Sequence, residues 1–200
     1  MSERLRVAVL DDFQSVAERM ADWSRLGSGF EVDFFSDHLD GEDELASRLS
    51  PYSALVAMRE RTPFPRSLLS RLPRLQVLVA TGMHHQTIDF DAARERGIVV
   101  SGTDSAFGVE ATTEHVWALI LGLARNIAVE DAAIRAGGWQ VAIGPLLAGK
   151  TLGILGLGNL GRTLIPVARA FGMRVVAWSR NLSGARAAAE GVEWVGHDAF

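Results

Sequence analysis

The sequence contains no cysteine. This absence excludes disulfide bonds, thiolate metal ligands and a cysteine nucleophile, and we expect no metal site. Long apolar runs are also absent, since the longest, 116–124 (VWALILGLA), is about half as long as a membrane-spanning helix. The N-terminal stretch MSERLRVAVLDD has charges where a secretory signal peptide would be apolar. These observations predict a cytoplasmic protein with no membrane segment.

The sequence also has no excess of basic residues over acidic ones. The 24 acidic and 20 basic residues give a formal net charge of −4 at pH 7, which is unfavourable for nucleic acid or an anionic membrane as the main partner. Hydrophobic residues make up 48% of the 200-residue chain, which is enough to form a buried core. We therefore expect a globular protein of one large or two smaller domains that binds small molecules.

Short apolar stretches rich in β-branched residues alternate with helical patterns over the first hundred residues. The stretches are 6–10 (RVAVL), 30–36 (FEVDFFS), 54–58 (ALVAM), 76–80 (QVLVA) and 97–102 (GIVVSG). Near-continuous apolar strands separated by helix-length crossovers are typical of a parallel sheet covered on both faces. The pattern predicts an α/β fold that begins with a flavodoxin-like domain.

A longer helical pattern follows over 109–134, with apolar residues at helical spacing. It predicts a single helix, long enough to link two domains, that ends before Gly137 and Gly138. A second β/α unit begins at Thr151.

The hexapeptide GLGNLG follows an apolar strand and begins an amphipathic helix. Gly156, Gly158 and Gly161 match the GxGxxG pattern, in which the first glycine permits a tight turn, the second lets a pyrophosphate approach the backbone, and the third lets helix and strand pack closely. The backbone amides of Asn159 and Leu160 then point toward the phosphates at the positive end of the helix. This context predicts a dinucleotide-binding site.

The following strand, MRVVAWS, ends where an NAD site usually has an acidic residue that binds the ribose 2′-hydroxyl. This chain has Ser179 and Arg180 at that point. A serine does not repel a 2′-phosphate, and a guanidinium can bind one through two hydrogen bonds. We expect NADP or NAD as the cofactor, with NADP favoured. In the alternative interpretation, Arg180 is a solvated loop residue and NAD is bound.

The order of these features resembles the D-isomer-specific 2-hydroxyacid dehydrogenase family. The resemblance extends over essentially the whole chain and is most specific at 112–121 (TTEHVWALIL) and 146–162 (LLAGKTLGILGLGNLGR). It implies a flavodoxin-like substrate domain over 1–104, a linking helix and connection over 105–149, and the start of an incomplete Rossmann NAD(P)-binding domain over 150–200.

The resemblance also implies roles for individual residues. Gly82 and Met83 match the loop whose backbone amides bind the substrate carboxylate, and Thr112 lies where the family has a residue beside the nicotinamide. Arg59 matches a position that often faces the substrate, although a surface arginine at the end of a strand is the alternative.

One loop departs from the family's commoner pattern. His84, His85 and Gln86-Thr87 occupy positions where a glycine and an asparagine are more usual, which leaves the identity of the 2-hydroxyacid open. We expect His84 and His85 to be exposed loop residues, with binding of an anionic substrate by the protonated rings as the alternative.

The activity implied by the resemblance is hydride transfer between nicotinamide and a 2-hydroxyacid or 2-ketoacid, as in glyoxylate or hydroxypyruvate reductases and phosphoglycerate dehydrogenases. The family's catalytic arginine, acid and histidine belong to later β/α units, so we expect none of them in these 200 residues. His197 matches no catalytic motif of the family. The resemblance therefore suggests the N-terminal part of a longer enzyme, and the linking helix resembles the region that forms a homodimer.

Two other classes of function stay open. One is a catalytically inactive protein of the same fold that binds a nucleotide as a sensor, and the other is an α/β protein whose glycine turn binds nothing. The start VAVLDD also resembles the acidic pocket of a response-regulator receiver, but Met58-Arg59-Glu60 replaces the aspartate that a receiver phosphorylates. We therefore expect Asp11 and Asp12 to cap the following helix.

Overall fold

The computed structural model describes residues 4–82, 85–103 and 108–200. The chain forms two compact units, Met1–Ser105 and Ala106–Phe200.

The first unit is built on a five-stranded parallel sheet whose strands lie in the order β2-β1-β3-β4-β5. These strands are β1 (Leu5–Val9), β2 (Phe30–Phe34), β3 (Ala54–Ala57), β4 (Val77–Ala80) and β5 (Val99–Gly102). Between them lie α1 (Ala17–Met20), a 3₁₀ helix (Trp23–Leu26), α2 (Glu42–Leu49), α3 (Arg66–Ser70) and α4 (Phe90–Glu95). The strand order 2-1-3-4-5 is that of the flavodoxin-like fold, so this prediction is confirmed.

The middle of this sheet is buried because its central strands are apolar at every position. Leu55 of β3 and Leu78 of β4 are completely buried, together with Phe64, which follows β3. Helix α2 adds Leu45 and Leu49, one helical turn apart, to the same core.

The first crossover is less helical than its sequence pattern indicates. The segment 13–26 is amphipathic throughout, yet α1 has only four residues and a 3₁₀ helix completes the connection. The indole Nε1 of Trp23 donates to the carbonyl oxygen of Ala17 at 2.9 Å, which is the acceptor that a further turn of α-helix would use. The backbone of Ala21 is extended, so the helix ends there.

The second unit contains a three-stranded parallel sheet in the order β6-β7-β8. Its elements are α5 (Gly108–Ala124), α6 (Ile127–Arg135), β6 (Thr151–Leu155), α7 (Asn159–Ala170), β7 (Arg174–Trp178), α8 (Gly184–Ala189), β8 (Glu193–Trp194) and a 3₁₀ helix (His197–Ala199). Strands that follow one another in this order form one half of the Rossmann fold, and the predicted Rossmann-type unit is confirmed.

The prediction of one continuous helix over 109–134 is wrong. Helix α5 ends at Ala124 and α6 begins at Ile127, because Asn126 has a left-handed backbone with φ of 52°. Asparagine is one of the few non-glycine residues that adopt this conformation readily. The connection after α6 packs against the break: a Cβ at Gly144 would lie 1.8 Å from the carbonyl oxygen of Ala124.

Candidate functional site

The turn between β6 and α7 has the geometry that a dinucleotide-binding turn requires. Gly156 has φ of 95°, a conformation that only glycine adopts without strain. A Cβ at Gly161 would lie 2.3 Å from the carbonyl oxygen of Gly156 and 3.0 Å from Cγ2 of Ile154. Any side chain at position 161 would therefore push α7 away from β6.

The middle glycine leaves space for a ligand. Gly158 precedes the first residue of α7, and a Cβ added there would meet no atom within 4 Å. The amides of Asn159, Leu160 and Gly161 lie in the first turn of the helix, where no intrahelical acceptor is available. No acidic side chain lies in this turn, so the positive end of α7 is free to attract an anion.

A cavity of about 250 Å³ opens beside this turn within the second unit. It brings together four of the predicted cofactor-binding residues, and its lining comprises Thr112, Thr113, Val116, Gly153, Ile154, Leu155, Gly156, Leu160, Gly161 and Leu164. The hydroxyl of Thr112 donates to the carbonyl oxygen of Gly108 at 2.9 Å, one turn earlier on the same helix.

Two threonines missed by the sequence analysis connect α5 to the start of α7. The hydroxyls of Thr113 and Thr163 form a hydrogen bond. Thr163 also donates to the carbonyl oxygen of Leu160 at 2.7 Å, which ties this contact to the first turn of α7. Thr113 lies within the TTEHVWALIL segment, but only the folded chain shows its partner.

The residues expected to select the cofactor follow β7. The amide of Gly156 donates to the carbonyl oxygen of Trp178 at 2.8 Å, so the end of β7 lies against the glycine turn. Ser179 is half-buried and its carbonyl oxygen accepts from the amide of Leu182 at 3.1 Å. Arg180 is exposed and forms no ion pair within the described part of the chain. Its guanidinium is therefore available to a ligand.

An aromatic contact that the sequence did not predict lies next to these residues. The rings of Trp178 and His197 meet edge to face with centroids 4.9 Å apart. β8 runs parallel to β7, with Ala177 opposite Trp194, so the segment after β8 lies beside the end of β7.

The predicted substrate-binding residues of the first unit lie at the ends of β3 and β4. The structure places Arg59 against Gly82, since the Nη1 atom of Arg59 is 2.7 Å from the position that a Cβ of Gly82 would take. Both residues have positive φ, 55° for Arg59 and 120° for Gly82. The amide of Arg59 donates to Oγ1 of Thr81 at 2.8 Å. Met83 lies outside the described residues, as does His84.

The amide of Gly82 already has a partner. It donates to Oγ1 of Thr103 at 2.9 Å, from the residue that follows β5. A carboxylate that binds this amide would have to replace the threonine hydroxyl.

The expectation that His85 is exposed is wrong, since it is only 8% exposed. Its ring Nε2 donates to the carbonyl oxygen of Gly82 at 3.2 Å, and its Nδ1 has no hydrogen-bond partner among the described residues. The cause is a backbone pairing in which the amide of Phe64 donates to Thr87 and the amide of Asp89 donates to Phe64. This pairing holds the loop against the sheet and directs His85 inward.

The two adjacent aspartates after β1 differ in role. Asp12 accepts hydrogen bonds from the amides of Val16 and Ala17 at 3.1 and 2.8 Å, as expected for a residue that caps α1. Asp11 does not cap the helix, so that part of the prediction is wrong. It is 2% exposed and accepts from the ring of His38 at 2.7 Å, and this hydrogen bond raises the pKa of His38.

The described residues include neither a membrane-spanning helix nor a cluster of metal ligands. No helix among them is both long and apolar enough to pass through a membrane. No group of three or more histidine or carboxylate side chains among them is placed to hold a metal ion.

Residues 117–200 match the family model described as D-isomer specific 2-hydroxyacid dehydrogenase, NAD binding domain. A D-3-phosphoglycerate dehydrogenase of Mycobacterium leprae is 30% identical over 187 residues, which cover 92% of this chain and 35% of that protein. A glyoxylate reductase of Aeropyrum pernix is 38% identical over 123 residues, which cover 57% of this chain and 36% of that protein.

The crystal structure of a phosphoglycerate oxidoreductase from Vibrio cholerae is similar to this chain with a TM-score of 0.84 and 32% identity. The match covers 96% of this chain and 61% of that one. The chain thus spans about a third of the length of the two curated relatives that it matches.

Proposed function

The chain belongs to the D-isomer-specific 2-hydroxyacid dehydrogenase family, and on this premise we propose that it binds the cofactor and the substrate of an NAD(P)-dependent oxidoreductase. The substrate is a 2-hydroxyacid or the corresponding 2-ketoacid. The observation that carries the proposal is the turn at Gly156–Gly161, where a positive φ, an open backbone position and a close contact between helix and strand occur together. This is the combination that a pyrophosphate-binding turn needs.

The second unit holds the cofactor in this proposal. The amides of Asn159 and Leu160 donate to the pyrophosphate, Gly158 leaves room for it, and Thr112 lies beside the nicotinamide ring. When bound, the nicotinamide donates or accepts the hydride at its C4. The cavity that joins Thr112 to the glycine turn supports this arrangement.

The cofactor is NADP in preference to NAD. Ser179 and Arg180 occupy the positions at the end of β7 where a ribose-binding carboxylate would exclude a 2′-phosphate. An exposed guanidinium without an ion-pair partner among the described residues is suited to bind that phosphate through two hydrogen bonds.

The first unit binds the acid. The guanidinium of Arg59 and the amides of Gly82 and Met83 hold the substrate carboxylate, which orients the C2 atom for hydride transfer. The contact between Arg59 and Gly82 supports this assignment. None of the described residues is assigned as the group that transfers the hydroxyl proton.

The protein functions as a homodimer in the cytoplasm in this proposal. Helices α5 and α6 expose large apolar side chains that a partner copy would cover, among them Leu119, Leu123 and Ile127, which are 55%, 78% and 59% exposed. Apolar groups clustered in this way are typical of interaction surfaces.

Turnover by the full-length protein tests the proposed activity. We expect oxidation of NADPH when glyoxylate, hydroxypyruvate or a longer 2-ketoacid is added. The loss of NADPH absorbance at 340 nm measures this oxidation. Arg59→Ala should raise the KM for the ketoacid and leave the Kd for NADPH unchanged, since Arg59 binds only the acid. A protein that binds NADPH but reduces none of these acids would contradict the proposal.

A further inference from the structure

We propose that Thr62, Asp11 and Thr81 are positioning residues for Arg59. They hold the loop after β3 in the one backbone conformation that brings the Arg59 guanidinium against Gly82. The inference rests on the proposed function, in which Arg59 binds the substrate carboxylate.

Asp11 joins three loops at the carboxyl edge of the sheet. Its Oδ2 accepts from the hydroxyl of Thr62 at 2.7 Å, and its Oδ1 accepts from the ring of His38 at 2.7 Å. Its backbone carbonyl oxygen accepts from the guanidinium of Arg61. Asp11 follows β1, His38 follows β2, and Thr62 follows β3. One buried carboxylate therefore connects the loops of three neighbouring strands.

The hydrogen bond between Asp11 and Thr62 is inaccessible to water. Each of the two residues is 2% exposed. Oδ1 of Asp11 is paired with His38, and the Thr62 hydroxyl is the donor to Oδ2. The loss of this bond would leave a buried carboxylate oxygen without that donor, which is costly. The position of Thr62 is thus strongly determined by Asp11.

The loop between Met58 and Thr62 needs such an anchor. Arg59 has φ of 55°, a left-handed conformation that is strained for a non-glycine residue. Residues stay in this region only where their surroundings hold them, and they are concentrated at functional sites. Asp11 has φ of 56° and belongs to the same network.

The loop is held from both sides of Arg59. On one side the amide of Arg59 donates to Oγ1 of Thr81, at the end of β4, at 2.8 Å. On the other side the hydroxyl of Thr62 donates to Asp11. Between these two anchors the Arg59 side chain extends to Gly82, where a Cβ would lie 2.7 Å from its Nη1 atom. If one of the two anchors is lost, the loop can relax to a right-handed or extended backbone, which moves the guanidinium away from Gly82.

A set of variants of the full-length protein tests the role of Thr62. Thr62→Val keeps the shape of the side chain and removes the hydroxyl, whereas Thr62→Ser retains the hydroxyl as the matched control. The readouts are the Kd of oxamate, an unreactive analogue of a 2-ketoacid, in the presence of NADPH, and the Kd of NADPH alone. We expect Thr62→Val to weaken oxamate binding about tenfold, and Thr62→Ser to change it by less than about twofold. The Kd of NADPH should not change in either variant.

A double-mutant cycle separates positioning from general support of the fold. If Thr62 acts through Arg59, Thr62→Val should have no further effect on oxamate binding in an Arg59→Ala background. Equal losses in both backgrounds, or no loss in Thr62→Val, would overturn the inference. Thr81→Val removes the second anchor at a less buried position and should reproduce the effect even where Thr62→Val fails to fold. Normal oxamate binding by Thr81→Val would then overturn the inference.

The same experiments distinguish a failure of this inference from a failure of the proposed function. A wild-type protein that binds no oxamate with either cofactor, or an Arg59→Ala variant with normal affinity, contradicts the proposed function and the inference together. Weakened binding by Arg59→Ala but not by Thr62→Val or Thr81→Val contradicts only the inference.

Discussion

The two units place their candidate sites at the carboxyl ends of parallel strands but build them by different means. In the second unit the site is a backbone surface, with the turn made by Gly156 and the close packing made by Gly161. In the first unit the site includes a non-glycine residue, Arg59, with a left-handed backbone. The amide of Arg59 donates to the side chain of Thr81, and Thr62 of the same loop donates to Asp11. A backbone site depends on a few glycines in one segment, whereas a side-chain site depends on residues that are far apart in the sequence.

The largest expected effect comes from adding a side chain to the backbone site. Gly161→Ala should lower the free energy of unfolding by about 2 to 3 kcal/mol, because the new Cβ would collide with the carbonyl oxygen of Gly156. Urea unfolding monitored by circular dichroism measures this change. Gly184→Ala is the matched control, since a Cβ there meets no atom within 4 Å. Equal stability of the two variants would show that the close packing of α7 against β6 is not required.

The next effect concerns the choice of cofactor in the second unit. Arg180→Ala should weaken NADPH binding about tenfold and leave NADH binding unchanged, because only NADPH has the 2′-phosphate that the guanidinium binds. Isothermal titration calorimetry with both cofactors measures the two affinities. Arg174→Ala, at the opposite end of β7, is the control and should change neither. If Arg180→Ala lowers the affinities for NADPH and NADH equally, Arg180 does not recognise the 2′-phosphate.

The side-chain network of the first unit makes its stability depend on pH. The hydrogen bond to Asp11 raises the pKa of His38, with smaller contributions from Asp40 and Asp37, against an opposing effect of burial. A histidine whose pKa is raised on folding stabilises the protein fully at pH values below its unfolded-state pKa. This contribution disappears as the pH rises through the folded-state pKa. Stability should therefore fall as the pH rises from about 6.5, the ordinary histidine pKa.

Denaturant unfolding at a series of pH values measures this effect, and His38→Gln is the variant to compare. We expect the wild type and His38→Gln to differ most in stability at low pH and to converge at high pH. A difference that grows with rising pH would contradict the assignment of a raised pKa to His38.

The smallest effect is spectroscopic and concerns the edge of the first unit. Tyr52 is the single tyrosine of the chain, and burial, followed by its hydrogen bond to Asp33, raises its pKa to about 12. The tyrosinate absorbance near 295 nm should therefore appear only near pH 12 in the folded protein. In urea it should appear near the ordinary value of about 10. Asp33→Asn should lower the folded-state pKa, and an unchanged titration would show that Asp33 is not its partner.

The fold was predictable where a single segment determines the local structure. The apolar strands β3 and β4 are recognisable because central strands of a parallel sheet are buried on both faces. The glycine turn is recognisable because its three glycines lie within six residues, and the tight turn, the approach of a pyrophosphate and the close packing of helix on strand each call for one of them. The break in the linking helix was not predictable, because it depends on Asn126 and on the packing of Gly144 against Ala124.

The candidate site of the first unit could be predicted only in part. Arg59 and Gly82 follow their strands in the sequence, and the resemblance points to both. The prediction that Asp11 caps a helix is wrong because its partners, His38 and Thr62, come from other loops. The burial of His85 follows from a backbone pairing that no local pattern predicts.

The measurement that tests the central claim most directly is a calorimetric titration of the chain with NADPH and NADH, repeated with Gly158→Ala. We predict that the wild type binds NADPH more tightly than NADH. Gly158→Ala should lower the affinity for each cofactor at least about tenfold, since a methyl group there obstructs the pyrophosphate. Gly184→Ala, an equally open glycine at the start of another helix, should bind like the wild type. Absence of binding to either cofactor, or unchanged binding by Gly158→Ala, would contradict the account.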